Sequence, residues 1–299
     1  MNTDLRIQDF GVLLADGAKD SLGDGYSVEY KEVIKNNGVV YHAIVIKKEE
    51  ENVAPTIYID ELYREYLKGK KVKTLTDEIV KFYFSGNLSR NVNIDFFTDF
   101  SKACAHLCFK AINLEKNRQI LSEVPYRQIE DLAMVPICCV NDRDLGSGNI
   151  MINRKHLELW EISEEELWEN IYENAEKISP VKVVGISEYL SKQTGIPFEE
   201  YLSNVYVVSN SEMRNGASAA FFPGVLKKIA DKIEADLIVI PSSVHETIVM
   251  PSYMGDKAEF TIAQMIREVN ESVVTDEEIL GDNAYFYDRA ENKLKIYEE

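Results

Sequence analysis

A serine pair stands beside a histidine–glutamate pair in the stretch Asp236 to Pro251, which reads DLIVIPSSVHETIVMP. Ser242, Ser243, His245 and Glu246 are the residue types of covalent hydrolysis: a hydroxyl nucleophile, an imidazole base and a carboxylate to orient it. Arg214 and Asn215, after the polar run Ser209 to Glu212, would add an anion clamp and an amide if the fold brought them to the same cleft. The catalytic candidates are therefore Ser243, His245 and Glu246, and the binding candidates Ser242, Arg214 and Asn215.

The spacing argues against a working triad. Groups that cooperate in such chemistry converge in space, seldom as chain neighbours. In an extended strand Ser243 and His245 share a face while Glu246 points away. The chain also lacks the G-x-S-x-G elbow that presents a strained serine. A Pro241-Ser242-Ser243 turn, with its hydroxyls bonded to nearby backbone, accounts for the same residues.

Other constellations fail on geometry. His245-Glu246 opens like a zinc-protease H-E-x-x-H, but position 249 is valine. Cys104 and Cys108 lie one turn apart on a helix with His106 on the other side, so the three cannot share an ion. Cys138-Cys139 adds two thiols without the paired spacing of a zinc site. Gly146-Ser147-Gly148-Asn149 precedes a strand, the wrong order for a phosphate cradle, and reads as a hairpin turn. Asp142 and Asp144 lack the remaining ligands of a calcium loop. Trp160 and Trp168 read as packing residues. No metal and no cofactor is expected.

The elements that would carry these residues follow from periodicity. Apolar positions over residues 5–20 suggest a helix, alternation from Tyr26 a strand, and Asn36-Asn37-Gly38 a hairpin turn into a strand over 39–46. A short strand at 55–59 and helices at 60–68 and 74–83 come next. Phe96, Phe100, Cys104 and Cys108, every fourth residue, predict a helix over 94–108. Beyond Pro125 comes an apolar stretch over 129–140, a strand at 150–152 and a short helix from Asn153 to Trp160. Ser163-Glu164-Glu165-Glu166 has the form of a capping box for a helix carrying Leu167, Ile171, Ala175 and Ile178. Then follow a helix over 185–195, a strand at 205–208, a strand at 217–222 and a helix after Pro223-Gly224. The strand–elbow–strand of 236–251 precedes a helix at 258–272. Thr275-Asp276-Glu277-Glu278 has the form of a second capping box, and 284–297 that of a closing hairpin. Local hairpins interspersed with helices favour α+β over a parallel doubly wound sheet. The expected organisation is an N-terminal β-hairpin sheet with helices, residues 1–122, and a C-terminal mixed or antiparallel sheet module with helices, residues 123–299.

The chain has 33 Lys and Arg against 51 Asp and Glu, a net charge of −18 over 299 residues. That surface repels phosphate backbones, so neither nucleic acid nor an anionic membrane is an expected partner. No apolar run approaches the ~20 residues of a membrane span. Acidic residues stand at the N-terminus where a signal peptide needs lysines, and four cysteines do not make a disulfide framework. The expected setting is the cytoplasm.

Several residue groups together resemble a known pattern: His156-Leu157-x-x-Trp160-x-Ile162-Ser163-x-Glu165-Glu166-Leu167, Gly216-Ala217, Phe222-Pro223-Gly224-Val225-Leu226 and Pro241-Ser242-Ser243-x-His245-Glu246. Arg267-Glu268-Val269-Asn270, Tyr287-Asp288-Arg289 and Asn113-x-x-Lys116-Asn117 extend it over nearly the whole chain. The sequence resembles an uncharacterised bacterial family of about this length, a domain of unknown function. Its C-terminal half is more distantly similar to a second uncharacterised bacterial family. The resemblance implies a cytoplasmic bacterial protein of two α+β modules and assigns no catalytic residue. The expected function is non-enzymatic, binding a protein partner or a small ligand; the alternative is a hydrolase-like enzyme centred on Ser243, His245, Glu246 and Arg214.

Overall fold

The computed structural model describes residues 4–51, 54–85, 95–142, 146–198, 204–257 and 261–298. The fold is α+β, with antiparallel sheets. Two compact units emerge, one of Met1–Ile94 with Asn141–Ser147 and one of Asp95–Val140 with Gly148–Glu299.

The first unit opens with helix α1 (Ile7–Leu22), then the hairpin β1 (Tyr26–Ile34) and β2 (Val40–Lys48), then β3 (Thr56–Tyr58). The Asn36-Asn37-Gly38 turn sets the hairpin, with Asn37 at φ 60° and Gly38 at φ 72°. Partners then lie equidistant from Asn37, so Glu32 faces His42 and Ile34 faces Val40. Helices α2 (Asp60–Leu67) and α3 (Val72–Ser85) complete the unit. Phe10 and Leu14 of α1 meet Ile44 and Ile46 of the sheet and Leu75 and Ile79 of α3 in one core.

The second unit begins differently from the expected helix over 94–108. Two 3-10 turns, Asp95–Thr98 and Cys104–His106, flank a short helix α4 (Phe100–Ala103), and strand β4 (Leu107–Asn113) begins only at the end of the expected helix. Every fourth residue is apolar there, but the run from Leu107 to Ile112 is apolar at nearly every position and buried almost throughout. That is the signature of a strand covered on both faces, which a helical stripe mimics over short lengths. After α5 (Arg118–Leu121) come β5 (Arg127–Ile129), β6 (Leu132–Asp142) and β7 (Gly146–Met151). Strand β6 pairs with β4, β5 and β7. The β4–β6 pairing joins residues on either side of the expected division at 122/123. The Gly146–Asn149 run, expected as a turn, is already strand; Asp144 lies outside the described residues.

Helices α6 (Arg154–Trp160) and α7 (Glu164–Ile178) follow. Ser163 Oγ accepts from the Glu166 backbone N–H at 3.1 Å, the N-cap half of the expected box. Helix α7 lays Leu167, Trp168, Ile171 and Ala175 into the core, with Trp168 against Phe109 of β4 at 6.1 Å. Strand β8 (Val181–Gly185), helix α8 (Ile186–Thr194), strand β9 (Tyr206–Asn210) and helix α9 (Val225–Ile233) lead to the central hairpin. That hairpin is β10 (Leu237–Pro241) and β11 (Thr247–Pro251), followed by α10 (Ile262–Ser272), β12 (Tyr285–Asp288) and β13 (Lys293–Ile296). The six-stranded sheet has the order β13-β12-β10-β11-β9-β8. Residues 217–221, expected as a strand, form a 3-10 turn. Small side chains at Ala217, Ser218, Ala219 and Ala220 let it bury flat on the core, where Ser218 Oγ donates to the Phe109 carbonyl at 3.0 Å.

The faces of this sheet differ. Leu237, Val239, Val249, Tyr285 and Tyr287 enter the main core with β4, α7 and α9. Ile238, Ile240 and Met250 face the other way, toward α10. A polar seam holds the two sheets of the unit in register. Tyr285 Oη donates to Asp131 Oδ1 at 2.5 Å, Asn283 Nδ2 to Asp131 Oδ2 at 2.9 Å, and Asn113 Nδ2 to the Leu280 carbonyl at 3.3 Å. Burial, reinforced by the Asp131 carboxylate, pushes the Tyr285 phenol far upward, so it stays a donor. Tyr285→Phe removes a buried hydrogen bond to a charged group and is expected to cost about 1–3 kcal/mol. Both tryptophans lie in this unit, so the loss appears as a lower urea midpoint in their fluorescence.

Candidate functional site

The elbow between β10 and β11, residues 242–246, holds four of the six candidate residues. Its peptide groups are partly buried and must find partners. From one side, the Gly216 and Ala217 backbone N–H groups donate to the carbonyls of His245 and Val244 at 3.1 and 3.2 Å. Ser209 Oγ adds a second donor to the His245 carbonyl at 2.7 Å. From the other side, the Val244 N–H donates to the Glu278 carbonyl at 2.9 Å. The close approach at Gly216 leaves no room for a side chain, since a Cβ there would sit 2.3 Å from Ser209 Oγ and 2.5 Å from the Asn210 nitrogen.

The structure brings Ser243 and Glu246 together. Ser243 Oγ donates to Glu246 Oε1 at 3.0 Å and accepts from the His245 backbone N–H at 3.0 Å. It does not bring the His245 ring to that hydroxyl. The Asn215 backbone N–H donates to His245 Nδ1 at 3.1 Å, which leaves the ring hydrogen on Nε2, 3.1 Å from Glu278 Oε1. Both ring nitrogens are engaged. A proton taken up at Nδ1 would set N–H against N–H and break the contact to Asn215, so the imidazole serves here as a bridge.

The partners of that bridge are themselves fixed. Asn210 closes the 211–215 loop with its side chain, Oδ1 accepting from the Arg214 N–H at 3.2 Å and Nδ2 donating to the Arg214 carbonyl at 2.9 Å. Met213 and Asn215 take left-handed φ of 55° and 49°, which aims the Asn215 N–H at the ring. Arg214 thus contributes its backbone; its side chain is exposed and makes no ion pair with a described residue. Thr275-Asp276-Glu277-Glu278, expected to cap a helix, forms a turn instead. Thr275 Oγ1 donates to Glu278 Oε2 at 2.9 Å, and the turn points the carboxylate at His245. The His245 hydrogen bond, offset by burial and aided by Thr275, holds the Glu278 carboxyl below its ordinary value. Glu278 carried no signal in the sequence beyond its capping-box position.

Ser242 belongs to a different feature. It lines a cavity of about 240 Å³ between the central hairpin and α10. Ile240, Pro241, Ser242 and Ile248 form its floor, and Ile262, Met265, Ile266, Val269 and Asn270 its helical wall. The wall repeats at i, i+3, i+4, i+7 and i+8, one face of a helix. Thr261 and Gln264 start that helix with a reciprocal capping box. Asn270 is 7 % exposed, and its Nδ2 is committed to the Gly281 carbonyl at 3.0 Å and Asp282 Oδ1 at 2.9 Å. Neither Asn270 Oδ1 nor Ser242 Oγ has a hydrogen-bond partner among the described residues.

Two further clusters complete the survey. In the first unit Tyr30 Oη lies 2.6 Å from His42 Nδ1, and the His42 N–H donates to Asp60 Oδ2 at 3.1 Å. Burial first, then Glu32, pushes the Tyr30 phenol up to about 12, so it is a donor that ties β1 to β2. The turn centred on Asn37 was the signal for it, since that register sets His42 beside Tyr30. In the second unit burial is the leading cause that pushes the Cys108 and Cys138 thiols up to about 12 and Cys139 to about 11, far from nucleophilic. Among the described residues no group of three or more His, Cys, Asp or Glu side chains is placed to hold a metal ion.

Over residues 7–289 the chain matches a family described as a family of unknown function, DUF5688, and it belongs to that family. No curated protein and no solved structure matches it.

Two outcomes test the bridge. His245→Ala leaves the Asn215 N–H and the Glu278 carboxylate without the ring and is expected to destabilise the second unit by about 1–3 kcal/mol in tryptophan-monitored urea unfolding. For Glu278→Gln the sign follows from the depressed carboxyl. Its contribution is present above the ordinary value of 4.5 and lost as pH falls through the lower value of the folded state. The gap between wild type and Glu278→Gln should therefore be constant near neutrality and close below pH 4.5. A gap that widened in acid would sink this assignment.

Proposed function

We propose that this protein is a non-enzymatic binding module whose ligand is a small, mainly apolar molecule held between α10 and the β10–β11 hairpin. The observation that carries the reading is the cavity of about 240 Å³ with seven apolar side chains and two polar ones in its lining. Small-molecule sites have this character, concave and apolar with few polar groups to fix orientation. The engaged ring of His245 supports binding over hydrolysis, because the residue best suited to be a base is spent on holding the elbow. A cytoplasmic setting fits the acidic composition, and the resemblance to an uncharacterised bacterial family favours a bacterial one. No helix among the described residues is long and apolar enough to cross a membrane.

Size sets the affinity scale. An apolar cavity of about 150 Å³ accepts benzene, so this one suits a ligand of roughly ten heavy atoms. At roughly 0.5 kcal/mol per heavy atom, such a ligand binds with about 5 kcal/mol, a Kd of a few tenths of a millimolar. Naphthalene, ten carbons without a polar group, is the direct probe. Titrated into isotope-labelled protein, it should give saturable shifts confined to β10, β11 and α10. Val269→Trp, which fills the groove from the helix, should abolish them. Shifts that never saturate, or that lie elsewhere, would remove the reading.

A further inference from the structure

The polar groups in the cavity lining select among ligands that fit its volume. Seven of the nine described lining residues are apolar and none of the nine is charged. The two exceptions, Ser242 and Asn270, each keep hydrogen-bonding capacity that no described residue uses. Asn270 is the more restrictive. Its amide hydrogens are held by the Gly281 carbonyl and by the Asp282 carboxylate, which fixes the side chain and leaves its carbonyl oxygen as an acceptor. An acceptor facing the cavity favours a ligand that brings a donor, because a ligand covering it without one would leave it unmet. Ser242 Oγ can donate or accept and so complements a hydroxyl or an amide.

Charge narrows the class further. A carboxylate or phosphate entering this space would meet no cationic side chain in the lining, while the Asn270 oxygen and the Asp282 carboxylate behind it would repel it. An ammonium would be desolvated without a carboxylate in the lining to receive it. Resting on the cavity reading, we infer that the ligand is an uncharged aliphatic molecule of about ten heavy atoms with a single hydroxyl or primary amide head. The head donates to Asn270 Oδ1 and accepts from Ser242 Oγ, and the chain lies along Ile240, Ile248, Ile266 and Val269.

Four octyl compounds on the intact chain test this: 1-octanol, octanamide, octanoate and octylamine, each titrated by the same shift measurement used for naphthalene. Octanol and octanamide should bind at least tenfold tighter than octanoate and octylamine at neutral pH. Ser242→Ala should weaken octanol roughly three- to tenfold, the loss of one neutral hydrogen bond, with its fold checked by the urea midpoint. If octanoate or octylamine equals or exceeds octanol, the assignment of an uncharged head is overturned, while naphthalene binding still upholds the cavity. An octanol affinity unmoved by Ser242→Ala would equally overturn the assigned contacts. If naphthalene and all four octyl compounds fail to bind, the cavity reading falls, and the head-group assignment falls with it.

Discussion

Backbone satisfaction at the 242–246 elbow is the constraint on which the second unit turns. The elbow joins the two central strands of a six-stranded sheet, so its peptide groups lie near the core. Each must be met by protein. The partners come from two stretches remote in sequence, donors from residues 209–217 and acceptors from the turn ending at Glu278. His245 spans both with one side chain, accepting from Asn215 and donating to Glu278. Everything that places those partners follows from this need: the left-handed Met213 and Asn215, the Asn210 side chain that closes the 211–215 loop, and the bare Cα of Gly216.

The same constraint separates this site from the hydrolytic sites its residue types suggest. A general base needs a free lone pair aimed at the nucleophile's proton. Here the lone pair on Nδ1 is held by a backbone N–H, and the Ser243 hydroxyl turns to Glu246. Residues that read as catalytic by type act as hydrogen-bond connectors by position. The rigidity they give the hairpin is useful to a binding site, because Pro241 and Ser242 leave the elbow directly into the cavity lining.

Much of this was legible from the sequence, and the misses have physical causes. The Asn36-Asn37-Gly38 turn, the strand–elbow–strand, the Ser163 cap and the final hairpin are set by local chemistry and appear as expected. The 94–108 segment is helical only in short pieces, a 3-10 turn, α4 and a second 3-10 turn, and β4 takes its last two residues because the apolar run from Leu107 is buried on both faces. The 217–221 segment failed because its small residues are chosen for a close approach to β4 and to the elbow. Ser243 and Glu246 were expected to point to opposite faces of a strand, and the elbow, being a turn, brings them together instead. Asn215 was a candidate for its amide and meets His245 through its backbone N–H; Glu278 and Ser209 carried no such signal, since the elbow reaches them only through the fold. The apolar stripe of α10 was visible, but as core; nothing local shows that Met265 and Val269 stay 39 % and 42 % exposed.

That exposure has a geometric origin. Six strands spaced about 4.8 Å apart span about 24 Å between the outer pair. A helix with its side chains is about 10 Å across. On the face away from the main core, α10 packs over Ile238 and Ile240 while α8 packs over Val205 and Val207. Two helices of that width fall short of the span, and the 3-10 segment Ser252–Lys257, packed against β10 and β11, covers part of the remainder. Ile240 and Ile248, directly paired across the central hairpin, line what stays open between α10 and the hairpin. An aliphatic floor left open this way would gain free energy from any apolar molecule that covers it. Because the hairpin is pinned at its elbow, the gap cannot be closed by letting the two strands sag toward α10. The clamp at His245 and the cavity beside Ser242 thus meet at one elbow, whose later residues are held by the protein while Pro241 and Ser242 line the open space.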